Sequence, residues 1–317
     1  MSERPKVTIV TPSYNQGRYL EETILSVLEQ DYPNLEYIVV DDGSTDESPE
    51  IIRRHEDRLA WWTRQENAGQ VAAINRGFAR SSGEIMGYLN SDDTLLPGAI
   101  ATLVDELERD PSLVLVYGDS LYTDEESTNV GYLPSREWNI PAMVRRCDNH
   151  VVQPSALWRR SGWDAVGPMN ERGYYFFDFE FFIRLSALGP AKHIATPVST
   201  YRLHAESKTI GAPLRKARDH VRFADEFLAS DEVPEALRPF VREGRATAHR
   251  YAGLYFHEAL ETREARRAYL RSFRLHPRSL LSPRALALFA RTLVPRAAIR
   301  RLRALRRRSS RAPSPPS

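Results

Sequence analysis

Over the first 117 residues, short β-rich runs alternate with segments of helical period, and this alternation limits the fold more than any other feature. Val7–Val10 reads as a strand, and in Tyr19–Gln30 the residues Leu20, Ile24, Val27 and Leu28 recur at helical spacing. The pattern repeats with strands at Leu35–Val40, Leu59–Trp62, Ile85–Leu89 and Leu113–Tyr117, and helices at Ser48–His55, Gln70–Arg80 and Gly98–Glu108. Such alternation predicts an α/β fold, a mostly parallel sheet with helices on both faces. From Asp119 to about Tyr201 the rhythm breaks into irregular pieces around one helix at Phe179–Leu188. Beyond Gly211 the chain turns helical, with a tetratricopeptide-like helix pair in YAGLYFHEALETREARRAYLRSFRLHP. The expected organisation is a catalytic domain over 1–210, a small α-helical region over 211–300 and a basic, Pro/Ser-rich disordered tail over 301–317.

Composition narrows the class. A single cysteine, Cys147, precludes an internal disulfide, and no segment approaches the roughly 18–20 apolar residues of a membrane span. The expected location is cytoplasmic. A net charge of +2 hides an asymmetry, because the last acidic residue is Glu264 and everything after it is neutral or basic. Leu286, Leu288, Phe289, Leu293, Ile299, Leu302 and Leu305 sit among arginines in Ser282–Arg308. Two readings of that stretch stand side by side: peripheral contact with an anionic membrane surface at its inner face, or packing on the catalytic domain with solvated arginines.

In open parallel sheets, ligands bind where loops leave the carboxyl ends of the strands. The second predicted strand ends in Asp41-Asp42-Gly43-Ser44-Thr45-Asp46 and the fourth in Asn90-Ser91-Asp92-Asp93. Asp46 as a helix cap and Gly43-Ser44 as a turn are ordinary uses of those residues. Adjacent acids at both strand ends are not, since converging like charges repel. A divalent cation removes the conflict, and hard carboxylates with few nearby His or Cys favour Mg2+ or Mn2+ over Zn2+. Magnesium usually completes its shell with substrate phosphates, so a metal here implies a phosphorylated ligand. No GxGxxG or GxxxxGK[ST] loop is present, which counts against dinucleotide and ATP enzymes.

Taken in order, VTIVTPSYNQGRYLEETILSVLEQDYPNLEYIVVDDGSTDES, NAGQVAAINRGF and GYLNSDDTLLPGAI resemble the family 2 glycosyltransferases of GT-A type. The resemblance runs from Val7 to about Thr209. It implies an inverting, metal-dependent enzyme that moves a sugar from a nucleoside diphosphate sugar to the hydroxyl of a sugar or lipid-linked glycan, as in surface-polysaccharide assembly. Tyr14 would then stack on the donor base, Thr11 and Pro12 would shape that pocket, and Asp42 would accept a hydrogen bond from the base. Asn67, Gly69 and Gln70 would lie against the nucleotide or donor sugar. The family's Asp-x-Asp metal motif has Asn90 at its first position here, Asp92 at its second and Asp93 beside it.

HVVQPSALWRRSGWDAVGPMNERGYYFFDFEFFIRLSALG resembles the family's acceptor-side segment, with Phe177 in place of the first acid and Asp178 retained as the second. Asp178 is the catalytic base by that analogy, or a helix N-cap, with Glu180 a supporting polar contact. His204 is implied as a further metal ligand or is merely exposed, and Arg202 and Lys208 as neutralising the departing phosphate or as plain surface charges. A catalytically lapsed sugar-nucleotide-binding module of the same fold is the alternative, which the Asn90 and Phe177 departures favour. A nucleotidyltransferase would need a basic, glycine-rich loop where Thr11–Gly17 stands, and a processive synthase a Gln-x-x-Arg-Trp motif. The Arg-rich end lacks interleaved aromatics, so no nucleic-acid partner is expected.

Overall fold

The computed structural model describes residues 4–205, 207 and 212–294. Its strands are β1 (Val7–Ser13), β2 (Leu35–Asp41), β3 (Trp61–Arg64), β4 (Ile85–Tyr88), β5 (Leu115–Thr123), β6 (Asn129–Leu133), β7 (Ala156–Arg159) and β8 (Ala191–Arg202). The helices are α1 (Gly17–Leu28), α2 (Ser48–Arg54), α3 (Gln70–Arg80), α4 (Ala99–Arg109), α5 (Ile140–Arg146), α6 (Arg160–Val166) and α7 (Phe177–Leu185), then α8 (Pro213–Arg222), α9 (Arg238–Glu258), α10 (Thr262–Leu275) and α11 (Pro283–Arg291). Two compact units divide the described chain. One takes in residues 4–144, 148–205, 207 and 231–237; the other takes in 145–147, 212–230 and 238–294. No helix among the described residues is long and apolar enough to cross a membrane.

The first unit is one eight-stranded sheet in the order β3-β2-β1-β4-β7-β5-β6, with β8 paired to β5. β1, β2, β3 and β4 run parallel, which requires the helical crossovers that the alternation predicts. All seven residues of β1 are buried, as a central strand covered on both faces demands. Val7 and Ile9 join one core with Leu20 and Ile24 of α1 and Ile100 and Leu103 of α4. Val10, on the other face, joins a second core with Ile74 and Phe78 of α3, Trp158 of β7 and Phe181 of α7. Helix α3 approaches β1 so closely that a Cβ on Gly77 would meet Val10 Cγ1 at 2.5 Å.

Residues 119–201 are more regular than expected. β7 lies antiparallel between β4 and β5, and the twelve-residue β8 runs parallel to β5. Buried polar residues hide the strand pattern from a hydrophobic reading. Ser120 and Ser199 are hydrogen-bonded through their hydroxyls at 2.6 Å, and Thr94 and Thr200 at 2.8 Å. β3 begins two residues later than predicted, because Glu56–Arg58 forms a 3-10 turn and pairing to β2 starts at Trp61.

The second unit is helical. α8 continues into a π-helical turn at Phe223–Phe227, and α9 packs along α10 through Ala252, Phe256, Ala265 and Ala268. Small residues at these contacts let the helix axes approach, and a Cβ on Gly253 would strike the Tyr269 ring at 2.8 Å.

Candidate active site

The sheet order reverses between β2-β1 and β1-β4, so the crevice at the carboxyl ends of β1 and β4 is where an open α/β sheet offers a site. Three loops meet there, each tied by carboxylates. Asp42 follows β2 and is 2 % exposed. Its Oδ1 accepts from Gln65 Nε2 at 2.7 Å and Ala68 N at 2.9 Å, and its Oδ2 from Gly69 N at 2.8 Å. In this arrangement Asp42 shapes the 65–69 loop, although the resemblance has it bond the base directly. Gly43, at φ +83°, passes under that loop where a Cβ would lie 3.1 Å from Asn67 N and Gln65 O, so both conformation and space call for glycine.

Across the crevice, Asn15 at φ 51° takes Thr45 N on its Oδ1 at 2.7 Å, while its own amide donates to Ser44 Oγ at 3.0 Å. Asp46 spans two helix starts, accepting from Gly17 N at 2.8 Å and Ser48 N at 3.0 Å. Partial burial raises its pKa, but the bonds from Ser48 and Gly17 outweigh this and hold it below the usual carboxylate value. Tyr14 is left 46 % exposed at the end of β1, an aromatic face free for stacking. Thr11 is fully buried, accepting from the Tyr37 hydroxyl at 3.0 Å, and Pro12 is buried beside it, so both belong to the interior of the sheet at this end of β1. Asn67 is exposed, and the Cα of Gly69 faces open space.

The third loop follows β4. Asp92 remains partly accessible, and its Oδ2 lies 3.0 Å from Nε2 of His204, just beyond β8. His204 is buried, tilted against the Tyr19 ring at 4.9 Å. A carboxylate oxygen, the donor type that Mn2+ and Mg2+ take, lies beside an imidazole nitrogen, and the two are too few to cage an ion without a ligand's phosphates. No group of three or more His, Cys, Asp or Glu among the described residues forms such a cage.

The other two expected ligands are placed differently. Asp93 is buried, its Oδ1 accepting from Arg202 N at 3.0 Å and its Oδ2 from Asn90 Nδ2 at 3.2 Å, so it braces the loop. Burial and then the Asp92 charge push its pKa well above the usual range. Asn90 is a bridge. Its Oδ1 accepts from Gln70 Nε2 at 2.6 Å and its amide reaches Gln153 Oε1 at 3.4 Å.

Arg202 is the clearest correction. Its guanidinium, 1 % exposed, donates to the Asp92 carbonyl at 2.8 Å, the Asp124 carbonyl at 3.1 Å, Ser127 Oγ at 2.8 Å and Glu22 Oε2 at 2.7 Å, and stacks over Tyr19 at 4.7 Å. A group so enclosed holds the Asp92 loop in place and has no face left for a phosphate. Lys208 lies outside the described residues.

Asp178 is in the first turn of α7 but is not its cap, which is Phe176. Oδ1 accepts from Phe179 N at 2.7 Å and Oδ2 from Asn149 Nδ2 at 3.3 Å. Its charge, with those of Asp93 and Tyr201, bears on the Tyr88 hydroxyl, whose pKa burial already raises well above 10. That brings Asp178 to the same end of β4 as the Asn90–Asp93 loop. Glu180 is wholly buried and accepts from Asn170 at 3.0 Å.

Sequence reasoning passed over Gln153 and Asn149. Gln153 donates to the Tyr88 carbonyl at 2.7 Å and meets Asn90, so it ties β7 to the acidic loop. Amides in a stretch without periodicity, just before a strand, were the available signal.

A match to the glycosyl transferase family 2 covers residues 8–158, from β1 to the Trp158 of β7. Residues 8–158 are a family 2 glycosyltransferase domain. Escherichia coli chondroitin synthase is 29 % identical to this chain over 230 residues, 71 % of the chain but 33 % of that protein, so the chain spans about a third of that relative. Staphylococcus aureus TarS, solved with UDP-GlcNAc, superposes with a TM-score of 0.62 at 16 % identity over 90 % of this chain and 89 % of that one. The Pyrobaculum calidifontis mannosyltransferase PcManGT, solved with GDP-Man and Mn2+, superposes at 0.58 with 20 % identity over 95 % and 88 %. The fold of that domain is therefore GT-A.

Proposed function

We propose that the chain transfers a sugar from a nucleoside diphosphate sugar to a glycan hydroxyl with inversion, in assembly of a polysaccharide. The observation that carries the reading is the convergence of two groups at the end of β4. Asp92 pairs with His204 there, and α7 brings Phe177, the neighbour of Asp178, to 6.0 Å from the Tyr88 ring. Support for the donor class comes from the UDP-GlcNAc and GDP-Man bound by two proteins of the same fold, and for the product from chondroitin synthase among the relatives.

Tyr14 stacks on the base, with the 65–69 loop held for the nucleotide by Asp42. Asp92 and His204 would hold Mg2+ or Mn2+, which would supply charge stabilisation for the leaving phosphate. Asn90, Gln70 and Gln153 keep the Asp92 loop in register. The acceptor oxygen attacks C1 as the bond from C1 to the phosphate oxygen breaks, and the hydroxyl proton passes to an Asp178 oxygen. Asn149 and the Phe179 amide orient that carboxylate. A positioned base contributes about 10²–10⁴ in rate.

Titration calorimetry with UDP-GlcNAc and GDP-Man, with and without Mn2+, on wild type and Asp92→Ala, paired with a transfer assay on Asp178→Asn, tests the reading. Metal-dependent donor binding lost in the first variant, and turnover alone lost in the second, are expected. Donor binding without transfer by wild type toward any glycan acceptor supports the lapsed binding module instead.

A further inference from the structure

The charge of the chain is split far more sharply than its net +2 conveys. Residues 1–211 hold 20 Lys/Arg against 32 Asp/Glu, and residues 212–317 hold 24 against 10. An anionic surface thus attracts one part of the chain and repels the other, and any adsorption is oriented.

Within the helical unit the arginines are ordered. On α10, Arg263, Arg267, Arg271 and Arg274 are exposed at intervals of three or four residues, one helical face about 16 Å long. Arg271 pairs with Asp225 at 3.0 Å, while Arg263, Arg267 and Arg274 have no side-chain partner among the described residues. Leu270 stands 40 % exposed in the middle of that face.

Apolar exposure is concentrated in the same stretch. Of the nine large apolar side chains exposed among the described residues, five lie in 270–294, and Leu286 and Leu293 are among them at 42 % and 57 %. Solvated arginines need no exposed leucines in the same stretch, and a soluble polyanion gives such leucines nothing to enter. A lipid surface takes both, phosphates to the guanidiniums and acyl chains to the leucines.

We infer that α10, α11 and the turn at 292–294 form a binding surface for an anionic lipid bilayer, with Arg263, Arg267 and Arg274 on headgroup phosphates and Leu270, Leu286 and Leu293 inserted shallowly. This enlarges the contact expected for Ser282–Arg308, of which residues 295–308 lie outside the described ones. It does not depend on the transfer reaction, because the assay below reads adsorption alone.

Flotation of the full chain with vesicles of phosphatidylcholine, alone or with phosphatidylglycerol, tests it. Wild type floats with the anionic vesicles, loses most binding at high salt, and ignores the neutral ones. The triple variant Arg263→Gln/Arg267→Gln/Arg274→Gln binds roughly a hundredfold more weakly, at about one kcal/mol per basic residue. Leu286→Ser/Leu293→Ser loses the part of the binding that survives salt. Circular dichroism and melting confirm each variant is folded, and Arg218→Gln/Arg238→Gln, outside α10 and α11, controls for bulk charge. Undiminished binding by the triple variant, an equal loss in the control, or capture by dextran sulfate without flotation on any vesicle overturns the inference. The last outcome assigns the face to a polyanionic polymer.

Discussion

Replacing Arg202 with methionine separates a brace from a phosphate ligand. The change removes four side-chain hydrogen bonds, to the carbonyls of Asp92 and Asp124, Ser127 Oγ and Glu22, and keeps an apolar stem over Tyr19. Truncating one side of a buried pair costs about 3–5 kcal/mol. Glu22 is half exposed and recovers water, which argues for the lower end, but the two carbonyls lose their donor and the lost cation–π contact adds about 0.5–2 kcal/mol. A net loss of about 4 kcal/mol corresponds to a fall in Tm on the order of 10 °C for a unit of this size. Urea unfolding followed by tryptophan fluorescence, with donor titration on the folded fraction, measures both quantities. Arg202→Lys should recover little, because one ammonium cannot replace the planar fork that reaches four acceptors. A variant that melts like wild type but no longer binds donor would refute the reasoning and return Arg202 to the diphosphate.

His204→Ala and Asp92→Asn should each weaken Mn2+-dependent donor binding by at least about tenfold by calorimetry, with the double variant little worse than either, since one ion joins them. Burial lowers the His220 pKa to about 4, partly countered by the bond to the Lys216 carbonyl and the charge of Asp219, with Lys216 lowering it slightly. The folded state then binds fewer protons than the unfolded one between pH 4 and 6.5, so stability is full above 6.5 and falls as pH drops towards 4, by on the order of 3 kcal/mol. An NMR titration locates that pKa, and His220→Gln should flatten the pH dependence of unfolding. Gly77→Ala should destabilise the first unit by about 1–3 kcal/mol in chemical denaturation despite better helix propensity, because its Cβ meets Val10, and adding Val10→Ala should relieve part of the strain.

The parallel half of the fold was legible because its strands and helices are amphipathic or wholly apolar in the usual periods. α3 matches its predicted bounds, Gln70–Arg80. Residues 119–201 were not, since β5 and β8 bury Ser120, Ser199 and Thr200 by pairing hydroxyls, which a hydrophobic pattern cannot register. In the site, residue type foretold where polar groups gather but not what each one touches. Asp92 and Asp93 are neighbours of identical chemistry, yet one faces His204 and the other is sealed beneath Arg202 N and Asn90. Arg202 read as a surface charge or a phosphate ligand because its partners Glu22, Asp92 and Asp124 come from three distant segments. Gln153 was invisible for the same reason, since its use depends on a strand direction that no local pattern encodes.

That direction has a consequence for how such domains diversify. Because β7 runs against β4 and β5, the chain leaves the end of β5 and re-enters β7 at the same edge of the sheet, the edge that carries the crevice. The segment between them, residues 124–155, is thus a replaceable cassette with both anchors on the ligand side. Its content can change while β4, β5 and β7 keep their registers, provided that β6 still pairs with β5, Asp124 and Ser127 still meet Arg202, Asn149 still meets Asp178, and Gln153 keeps its grip on Tyr88 and Asn90. Grafting this cassette between relatives, with those contacts kept, is the most conservative way to reshape the crevice while β1, β2 and β4 keep their pairing.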